Sequence, residues 1–93
     1  MNFKWDPVKA DLNSRKHGIS FDEATTVFGD PFAITYGDSY HSQYELRYLT
    51  FGTSIKNRFL VVSHIDQDDS IRLISARPMT RNEIRKYEQH HRR

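Results

Sequence analysis

Cysteine is absent from the chain. That excludes disulfide frameworks, thiolate metal sites and cysteine nucleophiles, and a reducing compartment fits. Also lacking is any run of about 18 apolar residues, so nothing reads as a membrane-spanning helix. The opening Met1-Asn2-Phe3-Lys4-Trp5-Asp6 has no apolar stretch of the signal-peptide kind. A cytoplasmic protein with no membrane partner is expected. Glycine and proline are sparse, four and three in number, so each acts as punctuation. No internal repeat, low-complexity tract or linker occurs. A length of 93 residues suits one domain spanning 1–93. A domain of this size buries roughly 60–65% of its unfolded surface, which leaves a thin margin of stability.

The net charge of +2 says little, but its distribution says more. From Ser70 onward, Arg72, Arg77, Arg81, Arg85, Lys86, Arg92 and Arg93 face only Glu83 and Glu88, a balance of +5. Residues 1–69 carry seven basic and ten acidic side chains, or −3. A basic end on a small domain suits a phosphate-rich ligand; the alternative is a solvated helix face.

The punctuation divides the chain. Phe3-Lys4-Trp5 reads as a short apolar start, compatible with a strand. Asp6-Pro7 opens a helix, because Asp is a favoured N-cap and Pro fits the first helical position. Val8 and Leu12 share a face of it, and Gly18 is placed to end it in the left-handed region. Ser20-Phe21-Asp22-Glu23 forms a capping box, with Ile19 and Ala24 in the staple positions. Phe21, Ala24, Val27 and Phe28 then trace a helical stripe that Gly29-Asp30-Pro31 stops.

Strands are expected at 32–36, 44–51, 58–65 and 71–77. Gly37-Asp38-Ser39, Lys56-Asn57 and the acidic 66–69 supply the turns, and Pro78 stops the last strand. Thr80-Arg81-Asn82-Glu83 is a second capping box, with Met79 and Ile84 as its staple, and opens a helix toward His90 that carries Ile84 and Tyr87 on one face. The expected fold class is α+β: an antiparallel meander of about four strands, packed with two N-terminal helices and one C-terminal helix.

Several segments, taken in order, carry a resemblance. Phe3-Lys4-Trp5-Asp6-Pro7 with Lys9 and Asn13 resembles the opening of BrnT-type toxins. Lys16-His17-Gly18-Ile19-Ser20-Phe21, with Glu23-Ala24 and Val27-Phe28, is similar to their second signature. Glu45, Arg47, Gly52 and Leu60-Val61-Val62 resemble their central strands. Arg72-Leu73-Ile74-Ser75-Ala76-Arg77, with Thr80-Arg81 and Tyr87-Glu88, resembles their closing signature. Each segment is weak, but the ordered set covers nearly the whole chain. The resemblance implies a RelE-like fold and a metal-independent ribonuclease that halts translation. It also implies a BrnA-like antitoxin with a ribbon-helix-helix domain, through which alone the pair would meet operator DNA.

Metal-free RNA cleavage turns the ribose 2′-OH on the adjacent phosphate. A group must take its proton, cations must hold the phosphate, and the departing 5′-oxygen must be protonated. Arginine suits the phosphate through its planar, permanently charged fork. Arg77 and Arg72 are the leading clamps, being bases on an otherwise apolar strand; the alternative is a rim ion pair. Five residues apart on a straight strand they would face opposite sides, unless a twist or bulge intervenes. Glu45 and Arg47, expected on one strand face, fit a general base and its neighbouring cation, or else a pair that sets register.

His17 fits a proton donor and Lys16 a charge for the leaving oxygen, although His17 equally suits a helix C-cap. Arg81, Arg85, Lys86 and Tyr87 are the candidate RNA-binding residues; the tyrosine suits base stacking or proton donation, although packing into the core is the favoured reading of it. His90 and His91 sit near the chain end, and His41 and His64 lack supporting spacing. No HExxH-like array exists, so neither metal nor other cofactor is expected. A different class of reading also remains open: a non-enzymatic module gripping nucleic acid or protein through its basic C-terminal segment.

Overall fold

The structure is a computed structural model that describes residues 1–91; Arg92 and Arg93, counted above in the basic C-terminal segment, lie outside the described residues. In chain order it contains β1 (Asn2–Lys4), α1 (Pro7–His17), α2 (Phe21–Thr25), a 3-10 turn (Thr26–Gly29), β2 (Ile34–Gly37), a second 3-10 turn (Ser39–His41), β3 (Tyr48–Thr53), β4 (Phe59–Gln67), β5 (Ser70–Pro78) and α3 (Arg81–His91).

Local signals explain the helix ends. Asp6 Oδ1 accepts the Val8 amide at 2.8 Å, and Gly18 closes α1 at φ 69°. The apolar pair Val8 and Leu12 does not face the core; they are 66% and 58% exposed. Asn13 anchors the helix instead. Its amide donates to the carbonyls of Ile19 and Ala76, at 3.0 and 2.9 Å, and its Oδ1 accepts the Ala76 amide at 3.0 Å.

The first capping box is half formed. Ser20 Oγ accepts the Glu23 amide at 3.0 Å, but the Glu23 carboxylate turns to Arg58 and Ser54. A buried carboxylate gains more from a guanidinium than from one exposed amide. The expected single helix through Phe28 tightens into 3-10 geometry at Thr26. The second box is complete: Thr80 N–H donates to Glu83 Oε1 at 2.8 Å, and Glu83 N–H to Thr80 Oγ1 at 3.2 Å.

The expected four-stranded antiparallel sheet is corrected to a five-stranded mixed one, ordered β1-β5-β4-β3-β2. The meander β2 to β5 is antiparallel, but β1 adds to the outer edge of β5 in parallel. Parallel pairing needs a long return path, and here the whole chain between Lys4 and Ser70 supplies it. One sheet face carries Leu60, Val62, Leu73 and Ala76 against Ile19, Phe21, Ala24 and Val27 of the N-terminal helical layer. On the other, α3 packs Tyr87 and Ile84 over Val61, Phe51 and Ile34. Only part of that second face is covered by α3. No helix among the described residues is long and apolar enough to cross a membrane.

Candidate active site

The uncovered part of the second sheet face forms the floor of a groove of about 390 Å³. Leu49, Ser63, Ile74, Ser75 and Arg77 line it from β3, β4 and β5, and Asp38, Tyr40, His41 and Arg47 from the loop before β3. Two of the expected site residues, Arg47 and Arg77, thus meet across it.

A bulge makes the floor. Ser63 pairs with Ser75, but His64 pairs with Leu73, leaving Ile74 as the extra residue on β5. The insertion reverses the side-chain alternation. Arg77 pairs with Val61 and Arg72 with Ile65, so both arginines stand on the same side of the sheet. Their partners are four residues apart, about 13 Å along β4. Arg72 is therefore on the groove side but does not line the groove.

Arg77 is also an ion-pair residue. Its Nη1 and Nη2 donate to the two Glu83 oxygens at 2.8 and 2.9 Å, and Nη1 also reaches the Pro78 carbonyl at 3.1 Å. This guanidinium holds the Glu83 carboxyl down at about 2. The pair fixes the arginine's position while offsetting much of its charge. Arg47 is less committed: its contact with Glu45 is a single one at 3.6 Å, and its buried Nε has no hydrogen-bond partner among the described residues.

Glu45 and Arg47 do not share a strand, as β3 begins at Tyr48. Residues 38–47 form a closed loop instead. The Asp38 amide donates to the Arg47 carbonyl at 2.8 Å, Ser42 Oγ accepts the Arg47 amide at 3.0 Å, and the Ser42 hydroxyl donates to the Asp38 carbonyl at 2.5 Å. The loop places His41 in the groove with Nδ1 2.9 Å from Asp38 Oδ2. In the sequence His41 was set aside for want of supporting spacing, and Asp38 was missed. Their i, i+3 spacing inside a turn was the available signal, but nothing local marks that turn as facing β5.

Other expected site residues are placed elsewhere. Lys16 and His17 end α1, which packs against the opposite sheet face, and neither lines the groove. Tyr87 is 4% exposed. Its hydroxyl donates to Asp30 and lies 3.0 Å from Thr53 Oγ1, so it ties α3 to the sheet and is not free to stack on RNA. Burial and the Asp30 charge push the Tyr87 phenol up to about 12. Burial alone would raise the Asp30 carboxyl, but hydrogen bonds from Tyr87, Thr53 and Phe32 outweigh it and hold it below its usual range. Arg81, Arg85 and Lys86 are exposed along α3.

His64 lies on the helix-covered face. Its Nε2 is 2.7 Å from Thr50 Oγ1 and its Nδ1 2.8 Å from Asp66 Oδ1. Desolvation lowers its pKa despite Asp66. Among the described residues, no group of three or more His, Cys, Asp or Glu is gathered to hold a metal ion.

The profile of the BrnT ribonuclease toxin of type II toxin–antitoxin systems matches residues 5–83. The crystal structure of the Brucella abortus ribonuclease toxin BrnT aligns with a TM-score of 0.67 and 19% identity, over 87% of this chain and 99% of that one. At that identity the likeness speaks for the fold. No curated protein sequence matches the chain.

Proposed function

The chain belongs to the BrnT family of ribonuclease toxins of type II toxin–antitoxin systems, and from that premise we propose that its sheet groove cleaves RNA without a metal ion and thereby arrests translation. The observation that carries this reading is the convergence of Arg47, Arg77 and the Asp38–His41 pair on one open groove floored by Ser63 and Ser75. Permanent cations and a proton-transfer group are what the reaction needs.

His41 accepts the 2′-OH proton, and the 2′-oxygen attacks the adjacent phosphorus. The bond from phosphorus to the 5′-oxygen breaks, that oxygen takes a proton from a water molecule, and the hydroxide left behind recovers the proton held on His41. The products are a 2′,3′-cyclic phosphate and a 5′-hydroxyl. Asp38 orients the imidazole through Nδ1, leaving Nε2 as the working atom. Arg47 supplies the less encumbered charge for the phosphate, and Arg77 a rigidly held second guanidinium. In this reading the general base is His41, and Glu45, beside the groove, is not. Arg72 and the exposed Arg81, Arg85 and Lys86 extend the basic surface toward more distant phosphates.

The deciding experiment incubates the purified chain with a defined RNA in the presence of a chelator and identifies the ends formed. Cyclic phosphate and 5′-hydroxyl ends support the mechanism. Chelator-sensitive cleavage, or 3′-hydroxyl ends, refutes it.

The family implies an antitoxin partner. Its inhibitory segment, BrnA-like in our reading, covers a groove edged by arginines, so association should weaken as salt rises. A salt-independent affinity would contradict that charge matching. A gene tolerated only beside its antitoxin fits a toxin, whereas one that expresses freely fits a basic binding module.

A further inference from the structure

A second cavity of about 210 Å³ adjoins the groove and shares Tyr40, His41 and Arg47 with it; Gln43, Tyr44 and Glu45 complete its walls. Two features set it apart from an ordinary connecting loop. Tyr40 and Tyr44 are 88% and 92% exposed. Rings of that size normally bury much of their surface. Yet the loop that presents them is braced at its base by the Asp38, Ser42 and Arg47 hydrogen bonds already described. Rigid support beneath outward-facing rings is how single-stranded nucleic-acid sites offer stacking platforms.

Resting on the ribonuclease reading of the adjoining groove, we propose that this cavity is a subsite for one unpaired nucleobase of the RNA next to the scissile phosphate, with guanine preferred. Both tyrosines line it, and its volume suits a single planar heterocycle. Base stacking is sequence-tolerant, so selectivity must come from the polar wall. Glu45 is acceptor-only and Gln43 both donates and accepts. Guanine presents two adjacent N–H donors on its Watson–Crick edge, which one carboxylate accepts together. Uracil presents one N–H between two carbonyl oxygens, which a carboxylate repels. Because Tyr40, His41 and Arg47 belong to both cavities, a base held here has its phosphate at the groove.

The test is a fluorescence-anisotropy titration of the full chain with four short labelled RNAs that differ in one base. A 2′-deoxy nucleotide at the scissile position prevents turnover. Wild type should bind the guanine oligomer most tightly. Tyr44→Ala should weaken binding about tenfold to a hundredfold, and Tyr44→Phe, which keeps the ring, should not. Glu45→Gln should level the four affinities. Equal wild-type affinity for all four RNAs, or unchanged binding by Tyr44→Ala, overturns the subsite. Tyr44 is so exposed that its removal leaves the core intact, so misfolding cannot mimic the loss. Cleavage of all-ribose oligomers separates the two readings: cutting without base preference removes the subsite and keeps the nuclease, and base-selective binding without cutting does the reverse.

Discussion

Replacing Arg77 by alanine tests the groove and its scaffold together. In the folded chain the Glu83 carboxyl stands at about 2, against an ordinary 4.5. That difference corresponds at most to roughly 3 kcal/mol. The two side chains are 39% and 23% exposed, so water screens the pair, and about 1–2 kcal/mol is the reasonable cost of removing Arg77. The sign is set by a carboxyl lowered in the folded state. The contribution is present above pH 4.5 and fades as pH falls toward 2. Urea unfolding of wild type and Arg77→Ala should therefore differ at neutral pH and converge across that acid window. Catalysis should fall further than stability: losing one fixed donor to a developing anionic charge costs about 10²–10³ in rate. Arg77→Lys keeps a charge but loses the fork, so it should recover part of the activity. A folded Arg77→Ala protein that cleaves RNA at the wild-type rate would refute the assignment of Arg77 to the phosphate. A stability difference that persists unchanged down to pH 2 would refute the ion-pair account.

Three further expectations concern the scaffold. Asn13→Ala strands the buried amide and carbonyl of Ala76 and the carbonyl of Ile19; it should cost about 2–4 kcal/mol in urea unfolding, whereas Leu12→Ala, at an exposed site, should shift stability by no more than about 0.5 kcal/mol. A Cβ added at Gly52 would meet Val27 Cγ1 at 2.8 Å and Ala33 Cβ at 3.3 Å, so Gly52→Ala should destabilise by about 1–3 kcal/mol, and a neutral result would mean that the layer above the sheet yields readily. The Arg58 guanidinium holds the buried Glu23 carboxyl at about 2. Its support is complete above pH 4.5 and lost toward pH 2, so Glu23→Gln should lower stability at neutral pH by about 2 kcal/mol, allowing for the exposed arginine, with the deficit vanishing in acid.

Much of the fold was legible because the signals are local. An Asp-Pro start, a glycine stop and two Ser/Thr-x-x-Glu boxes report on backbone within one turn of themselves, and alternating apolar residues report a strand with a buried face. Thus α1, the start of α2, α3 and the strands β2, β4 and β5 fall close to the residues read for them, whereas β3 begins at Tyr48, later than the expected 44, because residues 38–47 close into a loop. The first strand was visible as an apolar start, but its parallel partner was not, since pairing between Phe3 and Ile71 is a long-range event that neither segment encodes alone.

The site was less legible for the same reason. Arg77 and Arg47 could be named from residue type. That they share a groove depends on one extra residue at Ile74 and on a loop folding over β5, and no periodicity announces either. The Tyr87 hydroxyl meets Asp30 across 57 positions of chain; residue type alone left Tyr87 between core packing and base stacking, and this long-range contact makes it a structural tie. Residue chemistry and local backbone preference were therefore determined by the sequence alone, through short-range sterics and capping. Which cations and proton carriers stand within reach of one another was decided only in three dimensions, because strand register and loop closure are set by the packing of distant segments.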